Sequence, residues 1–154
     1  MQTILSIRCI ALLAITMWNI NSFAQQVDSI TDIRDHQKYH VVKIGEQWWM
    51  QENLNTATYM NGDPIPNITN SGTWAGLSTG ARCYYNNDST NYSPAYGALY
   101  NWYTVTDLRG LCPAGWHVPT DAEWTTLTSY LGGESVAGGK MKETVRMSLK
   151  YFKT

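Results

Sequence analysis

The segment at residues 112–124, Cys-Pro-Ala-Gly-Trp-His-Val-Pro-Thr-Asp-Ala-Glu-Trp, constrains the fold more than any other part of this chain. Thr120 and Glu123 form a capping box, because each side chain can bond to the backbone amide of the other residue. The apolar residues that follow recur at helical spacing: Trp124, Leu127 and Leu131. Gly132 then ends the pattern. The segment therefore predicts one well-defined helix from about Asp121 to Leu131.

A β-hairpin is predicted well before this helix. Residues 39–44 are rich in β-branched and aromatic side chains, Gly45-Glu46 is a two-residue turn, and residues 47–50 read Gln-Trp-Trp-Met. We expect the apolar stripe of the helix to pack on the tryptophans of this hairpin.

The rest of the domain is rich in turn-forming residues. Residues 53–80 are dominated by Asn, Thr, Gly, Ser and Pro, which predicts a long loop. A short strand is predicted at residues 82–85, and the polar run at 86–89 ends it. Residues 96–103 are aromatic with weak alternation, which leaves strand and short helix open and favours a short helix or an irregular segment.

The N-terminal segment has the pattern of a secretory signal peptide. Arg8 precedes an apolar run at residues 9–18, and small residues flank a phenylalanine in a cleavage motif that ends at Ala24. A membrane-spanning helix needs about 20 apolar residues, and this run is shorter. We predict a signal peptide at residues 1–24, a low-order lead at 25–37 and a secreted or cell-surface location, with no transmembrane span after signal removal.

The charge of the mature chain disfavours a nucleic-acid partner. Removal of residues 1–24 from 154 leaves 130, the size of one domain. These carry 12 acidic and 10 basic residues (11 less Arg8), a net charge near −2, and half of the basic residues lie at 140–153. Only two basic residues fall between residues 44 and 139. Phosphate binding needs cations clustered on a folded face, so we expect no nucleic-acid binding.

Two cysteines remain after signal removal, Cys83 and Cys112. Such a pair tends to form a disulfide in an oxidising compartment. The bond would enclose 28 residues and contribute about 3–4 kcal/mol through loop-closure entropy. Sequence does not report whether the two Cα atoms are close enough, so the pair stays a candidate disulfide.

Four aromatic-rich motifs occur in one order along the chain. They read Trp-Trp-Met-Gln-Glu-Asn-Leu at residues 48–54, Ala-Arg-Cys-Tyr-Tyr-Asn-Asn at 81–87, Tyr-Gly-Ala-Leu-Tyr-Asn-Trp-Tyr at 96–103, and Gly-Leu followed by the opening segment at 110–124. Together they resemble the Fibrobacter succinogenes major paralogous domain, a family of exported bacterial proteins. The resemblance implies an α+β fold similar to the C-type-lectin-like superfamily, loop-rich, with a small antiparallel sheet and ligand sites in a long loop region.

The resemblance ends at about residue 144. The family usually continues through a Gly-, Trp- and Ser-rich half with a further cysteine, whereas this chain ends in a different sequence. We therefore predict a partial domain at residues 38–144, with an incomplete C-terminal half, and a divergent tail at 145–154 that is strand or coil. The departure also puts the Cys83–Cys112 pairing in doubt, because either position can pair with the missing cysteine in the complete family.

The mature chain has six tryptophans besides Trp18, and each can serve the core or a ligand. Exposed indoles stack on sugar rings, whereas buried ones fill the core of a domain that is short of Leu and Phe. The motifs assign most of them to the core, and the predicted core set is Trp48, Trp49, Trp102, Trp116, Trp124 and Leu127. Trp74 lies in a polar loop and is the candidate for an exposed ligand contact.

Three consecutive residues add weak candidates for ligand binding: Asn86, Asn87 and Asp88. Their oxygens could hold calcium, as in lectin-like loops, but one carboxylate is a poor site, and turn formation is the preferred interpretation. His117 is the single histidine within a motif, and no catalytic spacing surrounds it, so we predict a structural hydrogen bond. The histidines lack metal-ligand spacing with the cysteines. We expect no catalytic residue, metal site or other cofactor.

These observations favour an exported, non-enzymatic binding module whose ligand is a carbohydrate or another protein. One alternative is an oxidoreductase-like relative of the formylglycine-generating enzymes, which share the superfamily and use reactive cysteines. That alternative requires an accessible thiol of low pKa. The other alternative is a non-functional fragment of a binding protein.

Overall fold

The computed structural model describes residues 26–143 and 152–153 of the chain. The strands of this part are β1 (Val27–Thr31), β2 (Lys38–Ile44), β3 (Gln47–Met50), β4 (Arg82–Cys83), β5 (Leu99–Tyr100), β6 (Trp116–His117) and β7 (Phe152–Lys153). Its helices are α1 (Ser71–Ala75), α2 (Ser89–Tyr96), α3 (Trp102–Val105), α4 (Asp121–Tyr130) and α5 (Glu134–Glu143), with a 3-10 turn at Tyr85–Asn87. The predicted α+β class is confirmed. The predicted signal peptide and most of the predicted tail lie outside the described residues.

All strand pairs of the sheets are antiparallel. A five-stranded sheet has the order β1-β2-β3-β7-β6, and a separate two-stranded sheet joins β4 to β5. The predicted hairpin is confirmed as β2 and β3, whose turn places Gly45 at φ +62°. Strand β7 contacts both β3 and β6 through its backbone, so the last residues of the chain join the hairpin to the segment that precedes α4.

Strand β1 differs from the low-order lead predicted at residues 25–37. It pairs with β2 in a register that runs from Val27 opposite Val42 to Thr31 opposite Lys38. The connection is held by Asp32, which is fully buried and accepts hydrogen bonds from the Arg34 side chain. The polar composition of residues 25–37 predicts low order. The sequence does not show that the charges of Asp32 and Arg34 neutralise each other in the folded protein.

The hairpin divides the core into two clusters. Successive side chains of a strand point to opposite faces of the sheet. Val42 and Trp49 therefore pack with Leu127 of α4 on one face, where the rings of Trp49 and Trp124 have centroids 4.9 Å apart. The opposite face packs a larger cluster: Tyr39, Val41, Met50, Leu54, Tyr59, Ile65, Leu111, Cys112 and Trp116, with Trp48 half-buried beside it. The predicted packing of the helix on the hairpin is confirmed for Trp49.

Helix α4 begins as the sequence predicts. The Glu123 amide donates to the Thr120 hydroxyl at 3.3 Å, and the Thr120 amide donates to the Glu123 carboxylate at 2.7 Å, which completes the capping box. The helix ends at Tyr130, and Leu131 is its C-terminal cap. The predicted helix is therefore confirmed, and its start and end agree with the prediction to within one residue.

The structure has more helices than the well-defined one predicted at 121–131 and the short helix left open at 96–103. Helix α5 packs next to α4 through the buried Ala137 and the half-buried Met141, although Gly138 and Gly139 disfavour a helix there. Helix α1 lies in the segment predicted as a long loop, and α2 begins at Ser89, the last residue of the predicted turn. In the part of the chain that the structure describes, no helix has the length and apolar character needed to cross a membrane.

Trp102 differs from its predicted place in the core, because its side chain is 71% exposed. It is the first residue of α3, whose buried residue is Thr104. Residues two apart on a helix project about 200° apart, so these two side chains face opposite ways. The Thr104 hydroxyl bonds to the Ala81 carbonyl at 3.0 Å and to the Asn101 side chain at 2.9 Å. These polar contacts anchor α3 and turn the indole outwards.

Candidate functional site

A surface groove of about 270 Å³ lies between α1 and the turn that follows β4. Its lining residues are Ile68, Thr69, Asn70, Ser71, Trp74, Cys83, Tyr84, Asn86 and Asn87, and we call it the Trp74 groove. It brings together three of the predicted ligand candidates, Trp74, Asn86 and Asn87. All of its lining side chains are uncharged.

Helix α1 forms one wall and places Trp74. Asn70 is a favourable N-cap, and its side-chain oxygen accepts hydrogen bonds from the Thr73 amide at 2.8 Å and from the Thr73 hydroxyl at 3.1 Å. This five-residue helix has no buried residue, and Trp74 is half-buried. The helix therefore serves to present the indole at the surface rather than to fill the core.

The opposite wall is a turn with unusual backbone geometry. Asn86 and Asn87 have φ values of +51° and +56°, the left-handed region that asparagine tolerates better than most residues. The Asn87 side chain donates to the Thr69 carbonyl at 3.0 Å, which ties this turn to the wall that carries α1. The hydrogen bond to the Thr69 backbone therefore holds the Asn87 side-chain amide in the wall of the groove.

Arg82 on β4 holds Tyr84, one of the lining residues of the groove. Its guanidinium donates to the Ile65 carbonyl at 3.2 Å and to the Tyr84 hydroxyl at 2.8 Å, and it lies 5.3 Å from the centre of the Tyr84 ring. Arg82 is therefore not a lining residue itself, but its guanidinium contacts Tyr84, which is one.

Asp88 lies outside the lining of the groove. Its carboxylate accepts hydrogen bonds from the Asn91 amide at 3.0 Å and from the Asn91 side chain at 2.6 Å, which makes it the N-cap of α2. These hydrogen bonds hold the pKa of Asp88 below its usual value. The turn and cap interpretation fits this residue better than a ligand contact. Among the residues that the structure describes, no group of three or more His, Cys, Asp or Glu could hold a metal ion.

The two candidate disulfide cysteines are free thiols in the structure, which corrects the proposed Cys83–Cys112 pair. Cys112 packs in the larger core cluster, whereas Cys83 lines the Trp74 groove. Burial raises the pKa of Cys112 to about 12 and also raises the pKa of Cys83. Both thiols therefore stay protonated near neutral pH, and a protonated thiol is a weak nucleophile.

His117 lies away from the Trp74 groove, at the start of α4. Its Nε2 atom is 2.9 Å and 3.0 Å from the two carboxylate oxygens of Glu123. The same carboxylate caps the helix, so His117 takes part in the structural hydrogen bonding that the sequence favoured.

A second groove was not foreseen from the sequence. It has a volume of about 330 Å³, and its lining is mostly apolar: Asn53, Ala98, Leu99, Tyr100, Val105, Val118, Pro119 and Trp124. Gly97 precedes the lining residue Ala98. A Cβ atom at Gly97 would lie 2.5 Å from the Leu54 carbonyl oxygen. Only a glycine allows the two segments to approach this closely.

A family comparison covers both walls of the Trp74 groove. The model of the Fibrobacter succinogenes major domain matches residues 42–154. The chain belongs to this family. The match begins within β2 and includes residues 145–154, which lie beyond the end of the resemblance predicted from the sequence. No curated protein and no solved structure matches the chain.

Proposed function

We propose that this protein is an exported, non-enzymatic binding module whose Trp74 groove binds a neutral carbohydrate. The observation that carries the proposal is the composition of the groove, which combines an indole with amides and hydroxyls and has no charged lining residue. Aromatic rings stack on the apolar faces of sugars, while amides and hydroxyls both donate to and accept from sugar hydroxyls. None of the lining side chains carries a positive charge that would attract a phosphorylated ligand.

The size of the groove suits a small part of a ligand. Its volume of about 270 Å³ is near the lower end of ligand sites, which start at about 300 Å³. We therefore expect it to hold one sugar ring against Trp74 rather than to enclose a large molecule. The rigid walls lower the cost of ordering on binding.

The finer fold assignment is also a proposal. A small antiparallel sheet, a capped helix and a long, loop-rich segment that carries the groove are compatible with a C-type-lectin-like scaffold. Fold resemblance does not establish sugar binding, and the proposal for the ligand therefore depends on the groove.

A thiol-based oxidative enzyme is less well supported. Such chemistry requires an exposed thiolate, whereas burial raises the pKa of both Cys83 and Cys112. Labelling of the native protein with a thiol reagent at neutral pH should be slow at both positions. Rapid labelling of Cys83 would favour the enzyme over the binding module.

The proposal is tested on a glycan array with the mature protein. Wild type should bind one class of neutral glycan saturably, and Trp74→Ala should weaken that binding at least about tenfold, the loss expected for an aromatic anchor. Trp102→Ala is the matched control, because it removes another exposed indole outside the groove. Failure of wild type to bind any glycan, or equal losses in both variants, would reject the carbohydrate site.

A further inference from the structure

Three tyrosines form an aromatic cluster next to the Trp74 groove. The ring centroids of Tyr85 and Tyr92 are 5.0 Å apart, those of Tyr85 and Tyr96 are 5.4 Å apart, and those of Tyr92 and Tyr96 are 6.1 Å apart. We call Tyr85, Tyr92 and Tyr96 the tyrosine cluster. Each ring lies within the range of distances that favours aromatic contact.

The tyrosine cluster is held at the surface rather than in the core. Tyr92 and Tyr96 are four residues apart on α2 and share one face of that helix, and Tyr85 packs on them from the 3-10 turn. Helix α2 has no buried residue, and Tyr85 and Tyr96 are each 50% exposed. By contrast, Tyr39 and Tyr59 are at most 1% exposed, so the fold buries tyrosines elsewhere when it needs core volume.

The cluster adjoins the groove at one turn of the chain. Tyr84 and Asn86 line the groove and flank Tyr85 in the chain, and consecutive Cα atoms are 3.8 Å apart. One short turn therefore directs its flanking side chains into the groove while Tyr85 joins the cluster. Asp88 caps α2 directly after this turn and so sets the helix that carries the other two rings.

The chemistry of the surrounding surface favours a carbohydrate over a protein partner. The sequence of α2 is Ser-Thr-Asn-Tyr-Ser-Pro-Ala-Tyr, without a charged residue or a large aliphatic one. The groove beside it is equally uncharged. Protein interfaces are enriched in Arg and Met as well as in aromatic residues, and α2 has neither, whereas aromatic rings among small hydroxyl and amide groups suit sugar rings.

We propose that the tyrosine cluster is a second contact surface for the same ligand, which is an extended neutral oligosaccharide rather than a monosaccharide. This inference rests on the proposed function of the Trp74 groove. The groove holds one sugar ring, and the rest of the oligosaccharide lies over Tyr85 and Tyr96. Affinity should therefore increase with the number of sugar units until the chain spans both surfaces.

The test is a titration calorimetry series with oligosaccharides of increasing length from the glycan class that the array identifies. Wild type should bind the longest members at least about tenfold more tightly than the shortest. Tyr96→Ala and Tyr85→Ala should remove most of this gain and leave the affinity for the shortest member within about twofold. Trp74→Ala should weaken binding at every length. Tyr103→Ala on α3 is the matched control, since it removes an exposed tyrosine outside the cluster.

The outcomes separate the two proposals. Length dependence that is unchanged in both tyrosine variants, or affinity in wild type that does not depend on length, overturns the extended ligand while the groove stands. Normal binding by Trp74→Ala overturns the groove itself. Capture of a protein through the tyrosines without length-dependent glycan binding also overturns the inference. Circular dichroism establishes whether each variant is folded. If either Tyr85→Ala or Tyr96→Ala is not folded, the other tyrosine variant decides the result.

Discussion

Arg34 connects three separate parts of the molecule through one side chain. Its guanidinium bonds to the buried Asp32 carboxylate, to the Thr58 carbonyl at 2.7 Å and to the Leu111 carbonyl at 2.8 Å. The side chains of Arg34 and Asp32 are 5% and 0% exposed. Burial raises the pKa of Asp32, but the hydrogen bonds and charge of Arg34 outweigh it and hold that pKa below its usual value. The Asp32 carboxylate therefore depends on Arg34 for its counter-charge.

Arg34→Met should destabilise the protein by about 3–5 kcal/mol, because it leaves a buried carboxylate without its counter-charge. Urea unfolding followed by tryptophan fluorescence measures the loss. Lys43→Met is the control, since its partner Glu46 is 94% exposed and the pair should contribute at most about 1 kcal/mol. Similar losses in the two variants would show that the Arg34 network contributes no more than a surface ion pair.

Glu123 gives a prediction about pH. Burial raises the pKa of its carboxyl, but hydrogen bonds from Thr120 and His117 outweigh burial and lower that pKa below its ordinary value. A carboxyl whose pKa is lowered by folding stabilises the protein above its unfolded pKa, about 4.3, and this contribution is lost as the pH falls through the folded pKa. Wild type should therefore be more stable than Glu123→Gln at pH 7.

The difference between wild type and Glu123→Gln should shrink as the pH falls below about 4.3. The measurement is the free energy of unfolding of both proteins from pH 7 to pH 3. The comparison isolates Glu123, because the other carboxyls with lowered pKa values are present in both. A difference that stays constant over this range would mean that the Glu123 charge does not contribute.

Helix α4 is defined by its first turn, and its start is therefore the place to test it. Thr120→Ala removes the hydroxyl that accepts the hydrogen bond from the Glu123 amide and should destabilise the protein by about 1 kcal/mol. Thermal unfolding measures the change. Thr125→Ala on the exposed face of the same helix should change stability by no more than about 0.5 kcal/mol. An unchanged midpoint in Thr120→Ala would argue against the cap.

Two glycines should respond to alanine with opposite signs because their elements differ. Gly45 in the hairpin turn has φ +62°, and an added Cβ would lie 3.0 Å from the Tyr130 ring, so Gly45→Ala should cost about 1–2 kcal/mol. Gly139 lies inside α5 with no atom within 4 Å of an added Cβ, so Gly139→Ala should stabilise by about 0.5–1 kcal/mol. Chemical denaturation of both variants measures the two effects, and equal signs would contradict the assignment of turn and helix.

At the level of the whole molecule, one hairpin organises everything else. Its two faces support separate core clusters, one under α4 and one under the loop-rich segment that leads to the Trp74 groove. Strand β7 then joins β3 to β6 through the backbone. The proposed ligand surface is thus carried by loops next to the sheet, an arrangement that combines variable chemistry with a regular scaffold.

Export is a prediction for the full chain. When it is produced in a bacterial host, the mature protein should begin at Gln25, because the small residues up to Ala24 form the cleavage motif. N-terminal sequencing and intact mass of the secreted material measure this, and deletion of residues 1–24 should keep the protein inside the cell. Recovery of intact chain that starts at Met1 would contradict cleavage.

The features that could be predicted are those that a few neighbouring residues specify. The Gly45 turn with its flanking strands and the Thr120 capping box each act over fewer than ten residues, so their chemistry is visible in the sequence. The sequence predicts Trp74 as one ligand candidate and the run Asn86, Asn87 and Asp88 as another. Nothing in the spacing of Trp74 and Asn86 along the chain shows that they face the same groove, because that depends on the packing of α1 against the turn after β4.

Local backbone chemistry thus specified the hairpin, the main helix and the residue types available for binding. Other features depend on contacts between segments far apart in the chain: the bonds of Arg34 to Thr58 and Leu111, the outward rotation of Trp102, the packing of Cys112 in the core and the insertion of β7. Such contacts depend on which surfaces meet when the whole core closes. A single segment contains no information about its partner, and the fold alone supplies it.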